Sequence, residues 1–181
     1  AVVAWGGNDW GQCDVPVPNA EFVAVAAGQN HSLGLKTDGT IVTWGRNDCG
    51  QCNVPSPNAD FTSVAAGHLH SLGLRGDGII VAWGLNSEGE CDVPAPNRNF
   101  VGVAAGPERS FGIIGYPRGD LDCNGVVSFG DINPFILALT SWGHYVQSFP
   151  DCDIMLADIN EDGIVDFGDV NPFIKLLAGR R

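Results

Sequence analysis

Residues 41–78 read IVTWGRNDCGQCNVPSPNADFTSVAAGHLHSLGLRGDG, and closely similar stretches stand on both sides, at 2–39 and at 80–115. Trp5, Trp44 and Trp83 are spaced by 39 residues, and the cysteines and prolines between them keep the same spacing. Each repeat contains three short apolar runs separated by loops rich in Gly, Asn and Pro, and none of these runs has a helical period. A unit of this length with short strands is typical of a β-propeller blade.

The junctions between the apolar runs indicate hairpins. Asp38-Gly39 and Asp77-Gly78 each stand between two such runs, and Gly supplies the positive φ that a tight hairpin turn requires. The first run of repeat one, Val2–Gly6, is predicted as a strand like its equivalents. The repeated Trp side chains are predicted to pack between blades, and a ring of aromatic residues that stack on a ligand is the alternative.

The patterns AWGxNxxGQCxVPxPN and VAAGxxHSLGL, together with the Asp-Gly turn, resemble the short bacterial form of the regulator of chromosome condensation repeat. The resemblance covers residues 1–115, which divide into repeats 1–39, 40–78 and 79–115. It implies propeller blades, since that family forms seven-bladed propellers, and its short-repeat relatives include secreted β-lactamase inhibitory proteins. Because family members bind chromatin, exchange nucleotides or inhibit enzymes, the predicted fold does not by itself indicate the function.

Three blades are too few to close a propeller ring, which typically has roughly four to eight blades. The predicted fold is therefore mainly β, with three blades of an incomplete ring. The chain starts at Ala1 inside a repeat and its single Met is Met155, so we expect it to be a processed or truncated piece of a longer protein. The open blade edges would expose unpaired strands and apolar surface, which favours self-association.

A second repeat, with a period of 38 residues, occupies the C-terminal part of the chain, where GDLDCNGVVSFGDINPFILAL (119–139) aligns with ADINEDGIVDFGDVNPFIKLL (157–177). Both stretches place oxygen-bearing side chains at loop positions one, three, five, nine and twelve, and Gly at position six. Calcium takes about six to eight oxygen ligands, and the main-chain carbonyl at position seven completes such a shell. The sequence therefore predicts two calcium ions. The predicted ligands are Asp120, Asp122, Asn124, Val126, Ser128 and Asp131 in the first loop, and Asp158, Asn160, Asp162, Ile164, Asp166 and Asp169 in the second.

This second repeat resembles a type I dockerin over residues 119–179. The last ligand is Asp rather than the Glu of an ordinary EF-hand, and the residues 116–118 before the first loop disfavour an entering helix. The resemblance implies a small α-helical, EF-hand-like calcium module at 119–181 after a linker at 116–118. Its helices are predicted at Ile132–Thr140 and Val170–Ala178, and the implied partner is a cohesin module.

Loop positions ten and eleven often carry a Ser/Thr pair that selects the cohesin in dockerins, but here they are Phe129-Gly130 and Phe167-Gly168. One interpretation is that the two Phe side chains contact a cohesin-like partner. The alternative is that both are buried and that the module is only a calcium-stabilised cap.

The cysteines and histidines are interpreted as structural. Cys123 lies in the first loop and Cys152 precedes the second, so pairing of the loops would allow a Cys123–Cys152 disulfide. Cys49-x-x-Cys52 is interpreted as a pair of structural thiols, because redox motifs of this spacing usually stand in a βαβ context. The pairing of Cys13, Cys49, Cys52 and Cys91 stays open. His31 and His70 occupy the same repeat position, which favours a structural role.

Composition excludes several classes of function. The net charge is −12, and residues 119–181 contribute more than half of it, so a nucleic-acid partner is not expected. No apolar run approaches the roughly 18 residues of a membrane span. No nucleophile elbow, zinc-hydrolase helix or phosphate-binding loop is present, and we expect no enzymatic activity.

We therefore expect a secreted, extracellular or cell-surface binding protein without catalytic activity. Its propeller repeats would offer an interaction surface, and its calcium-dependent tail would attach it to a cohesin-like partner. The alternatives are an inhibitor whose propeller occludes an enzyme, and the C-terminal part of a larger extracellular carbohydrate-active enzyme.

Overall fold

The computed structural model describes residues 1–179 and divides the chain into two compact units, of which the first is Ala1–Gly115 and the second begins at Tyr116. Each unit has a buried core of its own. Within residues 1–179, no helix has the length and apolar character that a membrane crossing requires.

The first unit consists of antiparallel sheets that resemble propeller blades. The strands of the first sheet are β1 (Phe22–Ala27), β2 (His31–Lys36) and β3 (Ile41–Gly45). Those of the second are β4 (Phe61–Ala66), β5 (His70–Arg75) and β6 (Ile80–Gly84), and the third pairs β7 (Phe100–Gly106) with β8 (Arg109–Ile114). Each of the first two sheets thus takes two strands from one repeat and its outer strand from the next.

Hairpin turns of the predicted kind join the second and third strands of each complete sheet. Asp38 Oδ1 accepts a hydrogen bond from the Thr40 N–H at 2.9 Å, and Gly39 adopts a φ of 78°. Asp77 and Gly78 repeat this arrangement. The mainly β fold predicted for this part of the chain is confirmed.

Adjacent blades share apolar cores. Phe61 at the start of β4 packs in one cluster with Leu33, Leu35 and Ile41 of the preceding sheet. Phe100 occupies the same position one blade later. Trp44 and Trp83 are buried, and the Nε1–H group of each donates to a main-chain carbonyl, which agrees with the predicted packing role.

Val2–Gly6 does not form the strand that was predicted for it. The equivalent runs Ile41–Gly45 and Ile80–Gly84 are strands because each pairs with the second strand of the preceding repeat. Val2–Gly6 pairs with none of the described strands, and Trp5 is 84% exposed. A strand needs a neighbour to accept its hydrogen bonds, and apolar alternation alone does not supply one.

Up to residue 179, the second unit contains three α-helices, α1 (Ile132–Thr140), α2 (Trp142–Ser148) and α3 (Val170–Ala178), besides short 3-10 turns. The predicted bounds of α1 and α3 are confirmed, whereas α2 was not predicted. The Phe135 and Phe173 rings stack with centroids 4.2 Å apart and join α1 to α3. Tyr145 of α2 is fully buried, and its hydroxyl donates to the Leu121 carbonyl oxygen at 3.1 Å.

Candidate metal-binding loops

Both C-terminal loops close around the carboxylate at position one. Asp120 accepts hydrogen bonds from the N–H groups of Asn124 at 3.1 Å and Gly125 at 2.8 Å. Asp158 accepts the equivalent bonds from Asp162 at 3.2 Å and Gly163 at 3.0 Å. The same side chain therefore shapes the same turn in both repeats.

The carboxylate at position twelve ties the end of each loop to its beginning. Asp131 accepts from the N–H groups of Leu121 at 2.7 Å and Ser128 at 2.7 Å. Asp169 accepts from Ile159 at 2.7 Å and Asp166 at 3.0 Å. Both carboxylates are fully buried, although burial of a charge is costly unless the group is hydrogen-bonded or paired.

The remaining side-chain ligands predicted for positions three, five and nine also lie in the loops in register. Asp122 and Asn160, at position three, each accept from the N–H of position five. Ser128 and Asp166, at position nine, cap the short 3-10 turn that leads into each helix. At position six, Gly125 has a φ of 89° and Gly163 one of 85°, a region that favours glycine.

Three carboxylates converge in the first loop. Carboxylate oxygens of Asp120, Asp122 and Asp131 all lie within 4.8 Å of one another. Burial raises the pKa of Asp120, and the neighbouring charges of Asp131 and Asp122 raise it further. A bound cation would relieve this repulsion, and an all-oxygen donor set suits calcium rather than a softer metal.

The second loop has the neutral Asn160 at position three but carries five carboxylates in all, and Arg118 lies beside it and offsets part of this charge. Arg118 approaches Asp158 Oδ2 at 3.5 Å and Glu161 Oε1 at 3.4 Å. It also donates to the carbonyl oxygens of Met155 and Asp158. Arg118 was predicted to lie in a linker, and its contact with Asp158 was not predicted. The two residues are about forty positions apart in the chain, so no local sequence pattern indicates the contact.

Position seven exposes its side chain in both loops, at Val126 and Ile164, so only the predicted main-chain carbonyl is a candidate ligand there. Position eight turns inward instead. Val127 is buried in the core of the unit, and Val165 packs against that core.

The structure joins Cys123 and Cys152 by a disulfide with the Cα atoms 5.8 Å apart. Cys49 and Cys52 are both free. The Cys91 thiol contacts the Leu85 carbonyl oxygen at 3.2 Å, and burial raises its pKa to about 11, with Glu90 and Asp92 adding to the effect. Burial also raises the pKa of Cys52. Such thiols stay protonated at neutral pH and are weak nucleophiles, which agrees with a structural role.

The Phe residues at position ten are exposed, so the alternative in which both are buried is wrong. Phe129 is 77% exposed and Phe167 is 75% exposed. The space beneath the loops is filled by other apolar side chains, among them Val127, Phe135 and Phe173. Phe167 borders an apolar groove of about 300 Å³ between α1 and α3, lined also by Ile132, Ile136, Leu139, Val170 and Ile174.

Comparison with sequence families matches residues 22–51 and 61–90 to the "Regulator of chromosome condensation (RCC1) repeat". Each match comprises all three strands of one complete sheet, β1 to β3 or β4 to β6, and the first part of the loop that follows. Comparison with curated proteins gives no match.

Solved structures of propeller proteins resemble the chain. Prp20p from Saccharomyces cerevisiae has 23% sequence identity and a TM-score of 0.52, over 60% of this chain and 38% of its own. The ectodomain of the receptor kinase CR4 from Physcomitrella patens has 27% identity and a TM-score of 0.51, over 61% of this chain and 32% of its own. The ectodomain of the Arabidopsis thaliana receptor kinase ACR4 has 24% identity and a TM-score of 0.51, over 61% of this chain and 38% of its own. The chain thus spans about a third of the length of these proteins. Its first unit contains RCC1-like repeats, folded as sheets that resemble propeller blades.

Proposed function

We propose that this chain is a non-catalytic extracellular binding protein that attaches to a cohesin-like protein module through a calcium-ordered, dockerin-like C-terminal unit. The observation that carries the proposal is the pair of loops at 120–131 and 158–169. The two loops share, position by position, the same hydrogen bonds to their first and last carboxylates. A chance acidic turn would not repeat this network twice.

Calcium, when bound, would supply positive charge that offsets the loop carboxylates. The first loop would hold it through Asp120, Asp122, Asn124, Ser128, Asp131 and the Val126 carbonyl. The second would hold it through Asp158, Asn160, Asp162, Asp166, Asp169 and the Ile164 carbonyl. Because Asp131 and Asp169 immediately precede α1 and α3, order in the loops is transmitted directly to the start of each helix.

The docking surface on this unit consists of Phe129, Phe167 and the exposed faces of α1 and α3. Ile136 on α1 and Ile174 on α3 are more than half exposed and continue the apolar character of the two Phe rings. Exposed apolar patches of this kind mark protein interaction sites. A partner that docks here is expected to present apolar surface to positions ten, rather than the polar groups that a Ser/Thr pair would select.

The propeller unit provides a second interaction surface. Prp20p is described by its binding to Gsp1p and histones, and the two plant relatives are receptor ectodomains. The Prp20p description supports protein binding as the task of such blades, and the receptor ectodomains are compatible with an extracellular setting. A disulfide at Cys123–Cys152 also suits an oxidising compartment.

Calorimetric titration of the full chain with calcium tests the metal sites. We expect two ions per chain, with Asp122→Asn weakening the first site and Asp162→Asn weakening the second. Asp151→Asn, which removes a carboxylate outside both loops, is the matched control and should leave both sites intact. Absence of a calcium-dependent heat, or calcium affinities unchanged in both loop variants, would contradict the proposal.

Attachment is tested by measuring the binding of the full chain to a panel of purified cohesin modules in calcium and in EDTA. We expect at least one cohesin to bind in calcium and to be released by EDTA. The double variant Phe129→Ser, Phe167→Ser should weaken this binding at least tenfold. Trp142→Ser removes an exposed aromatic side chain from α2 instead and should have no effect. If no cohesin binds although two calcium ions do, the docking role is wrong and the calcium sites stand.

A further inference from the structure

The third sheet presents β8 as an open edge. In the first two sheets, β2 and β5 each lie between two strands, whereas β8 pairs only with β7 among the described strands. Phe111 and Ile113 on β8 are 56% and 65% exposed, while Leu72 and Leu74 at the same positions of β5 are 1% and 3% exposed. The apolar side chains that an outer strand and a following blade would cover are therefore accessible on β8.

The opposite end of the same unit carries the complementary segment. Val2–Gly6 reads VVAWG, and the outer strands β3 and β6 read IVTWG and IVAWG. The Asn19 side chain accepts a hydrogen bond from the Val2 N–H and donates one to the Val2 carbonyl oxygen, both at 2.8 Å. The Asn58 side chain makes the same two bonds to Ile41 of β3, also at 2.8 Å. The first residue of this segment is therefore anchored like that of an outer strand, while Val3 and Trp5 are exposed.

We propose that Val2–Gly6 of one chain adds to β8 of a second copy as the outer strand of its third sheet. The pairing would be antiparallel and in the register of the complete sheets, where Ser71 faces Trp83 and Leu72 faces Ala82. By repeat equivalence, Ser110 faces Trp5 and Phe111 faces Ala4 of the second copy. Added strands of this kind gain main-chain hydrogen bonds along an exposed sheet edge.

In this register, the Glu90 carbonyl oxygen can accept a hydrogen bond from Trp5 of the second copy. The Gln51 carbonyl oxygen accepts from Ser71 Oγ at 2.9 Å and from Trp83 Nε1 at 2.9 Å. In the third repeat the equivalent Glu90 carbonyl oxygen accepts from Ser110 Oγ at 2.6 Å. A carbonyl oxygen has two lone pairs, so Trp5 Nε1 of the second copy would take the remaining one.

Apolar packing favours a second copy over an unrelated peptide. Across the junction between the first two blades, Phe61 packs with Leu33 and Leu35. Phe22 is the equivalent residue of the first blade and would pack in the same way on Phe111 and Ile113 of the other copy. The contact is head-to-tail, so it closes into a ring if the rotation between copies permits and otherwise extends into a chain.

The mass of the full chain in solution tests the proposal. Light scattering coupled to size exclusion, in EDTA and with free thiols alkylated, separates this contact from calcium-dependent docking and from thiol cross-links. We expect a dimer, or a concentration-dependent series of larger species. A single-chain mass at every concentration up to the millimolar range overturns the proposal.

Matched variants locate the contact. Phe111→Asp should weaken association at least tenfold, and so should Trp5→Asp at the other end. Val101→Asp is the control, because Val101 is exposed and its equivalent Thr62 is exposed even within a complete sheet. An equal effect of Val101→Asp would overturn the assignment of the surface.

Mixing the two defective variants tests the head-to-tail polarity. The Phe111→Asp chain keeps an intact Val2–Gly6, and the Trp5→Asp chain keeps an intact β8, so together they should form one heterodimer. Failure of the mixture to form this species, or dimerisation of the Trp5→Asp chain alone, overturns the proposed strand pairing.

Discussion

His31 and His70 form equivalent hydrogen-bond relays inside the propeller unit. His31 Nε2 lies 3.0 Å from Ser71 Oγ, and Ser71 Oγ donates to the Gln51 carbonyl oxygen at 2.9 Å. Because Ser71 Oγ donates its hydrogen to that carbonyl, it can only accept a hydrogen bond from His31. His31 Nε2 is therefore the protonated ring nitrogen. The buried Nδ1 atom has no hydrogen-bond partner among the described residues, so a second proton there would have no acceptor.

This environment predicts a loss of stability in acid. Burial, together with the charge of His70, lowers the pKa of His31 from its ordinary value of 6.5 to about 4. As the pH falls below about 6.5, His31 becomes protonated in the unfolded chain but not in the folded one, so the folded state loses stability. The loss continues until the pH falls below the pKa of His31 in the folded state, about 4. Thermal unfolding between pH 7.5 and 4 should show this decline.

His31→Gln isolates the contribution of the imidazole, because its amide can still donate to Ser71 while it does not titrate. Carboxylates protonate in the lower part of the same range in both proteins, so the comparison rests on the difference between the two curves. We expect the variant to lose less stability than the parent chain over this range. Parallel curves would mean that His31 does not titrate with folding.

At the scale of single elements, Gly73 shows why the second strand of each repeat contains glycine. A Cβ atom at Gly73 would lie 2.6 Å from Cε1 of the Phe61 ring and 3.0 Å from Cδ1 of Ile41. The ring of the first strand therefore lies directly on the glycine of the second, at the junction where two blades meet. Gly34 and Gly112 accept Phe22 and Phe100 in the same manner.

Gly73→Ala is predicted to destabilise the propeller unit by about 1–3 kcal/mol, the usual cost of overpacking a filled core. Gly76→Ala is the matched control, because the nearest atom to its added Cβ is 3.6 Å away and its backbone is not in the left-handed region. Urea unfolding followed by Trp fluorescence measures both. Similar free energies of unfolding for the two variants would show that the strand contact is not tight.

An aromatic contact joins two helices of the second unit. Phe135 and Phe173 stack across α1 and α3, and Phe173 is buried. Phe173→Ala should lower the free energy of unfolding by about 3–5 kcal/mol, as is typical for removal of a buried Phe. Ile174→Ala, at a neighbouring exposed position of α3, should cost far less. Loss of helical circular dichroism on heating or in denaturant measures the difference.

On the scale of the whole molecule, the two units have separate cores and are expected to unfold in separate transitions. A ligand that binds only a folded unit stabilises that unit by mass action. Calcium should therefore raise the midpoint of one calorimetric transition, that of the C-terminal unit, and leave the other unchanged. A shift of both transitions by calcium, or of neither, would contradict this assignment.

The sequence by itself determined the repeats, the strands β1 to β8, the hairpin turns and the bounds of α1 and α3. The repeats show as similarity at periods of 39 and 38 residues. The other features rest on patterns within a few residues: alternation of apolar side chains, Asp-Gly turns, and Asp residues before an apolar helical run. The candidate loop ligands at 120–131 and 158–169 were also predictable, because the loop spacing is a local property of the chain.

Only the tertiary structure decided what depends on contacts between distant segments. Val2–Gly6 has the sequence of a strand but lacks a neighbouring strand to pair with, and Trp5 is therefore exposed while Trp44 and Trp83 are buried. Phe129 and Phe167 are exposed because other side chains fill the core, and Arg118 reaches the second loop across the unit. Local pattern favours a conformation for a segment, whereas strand pairing and burial depend on which other segments fold against it.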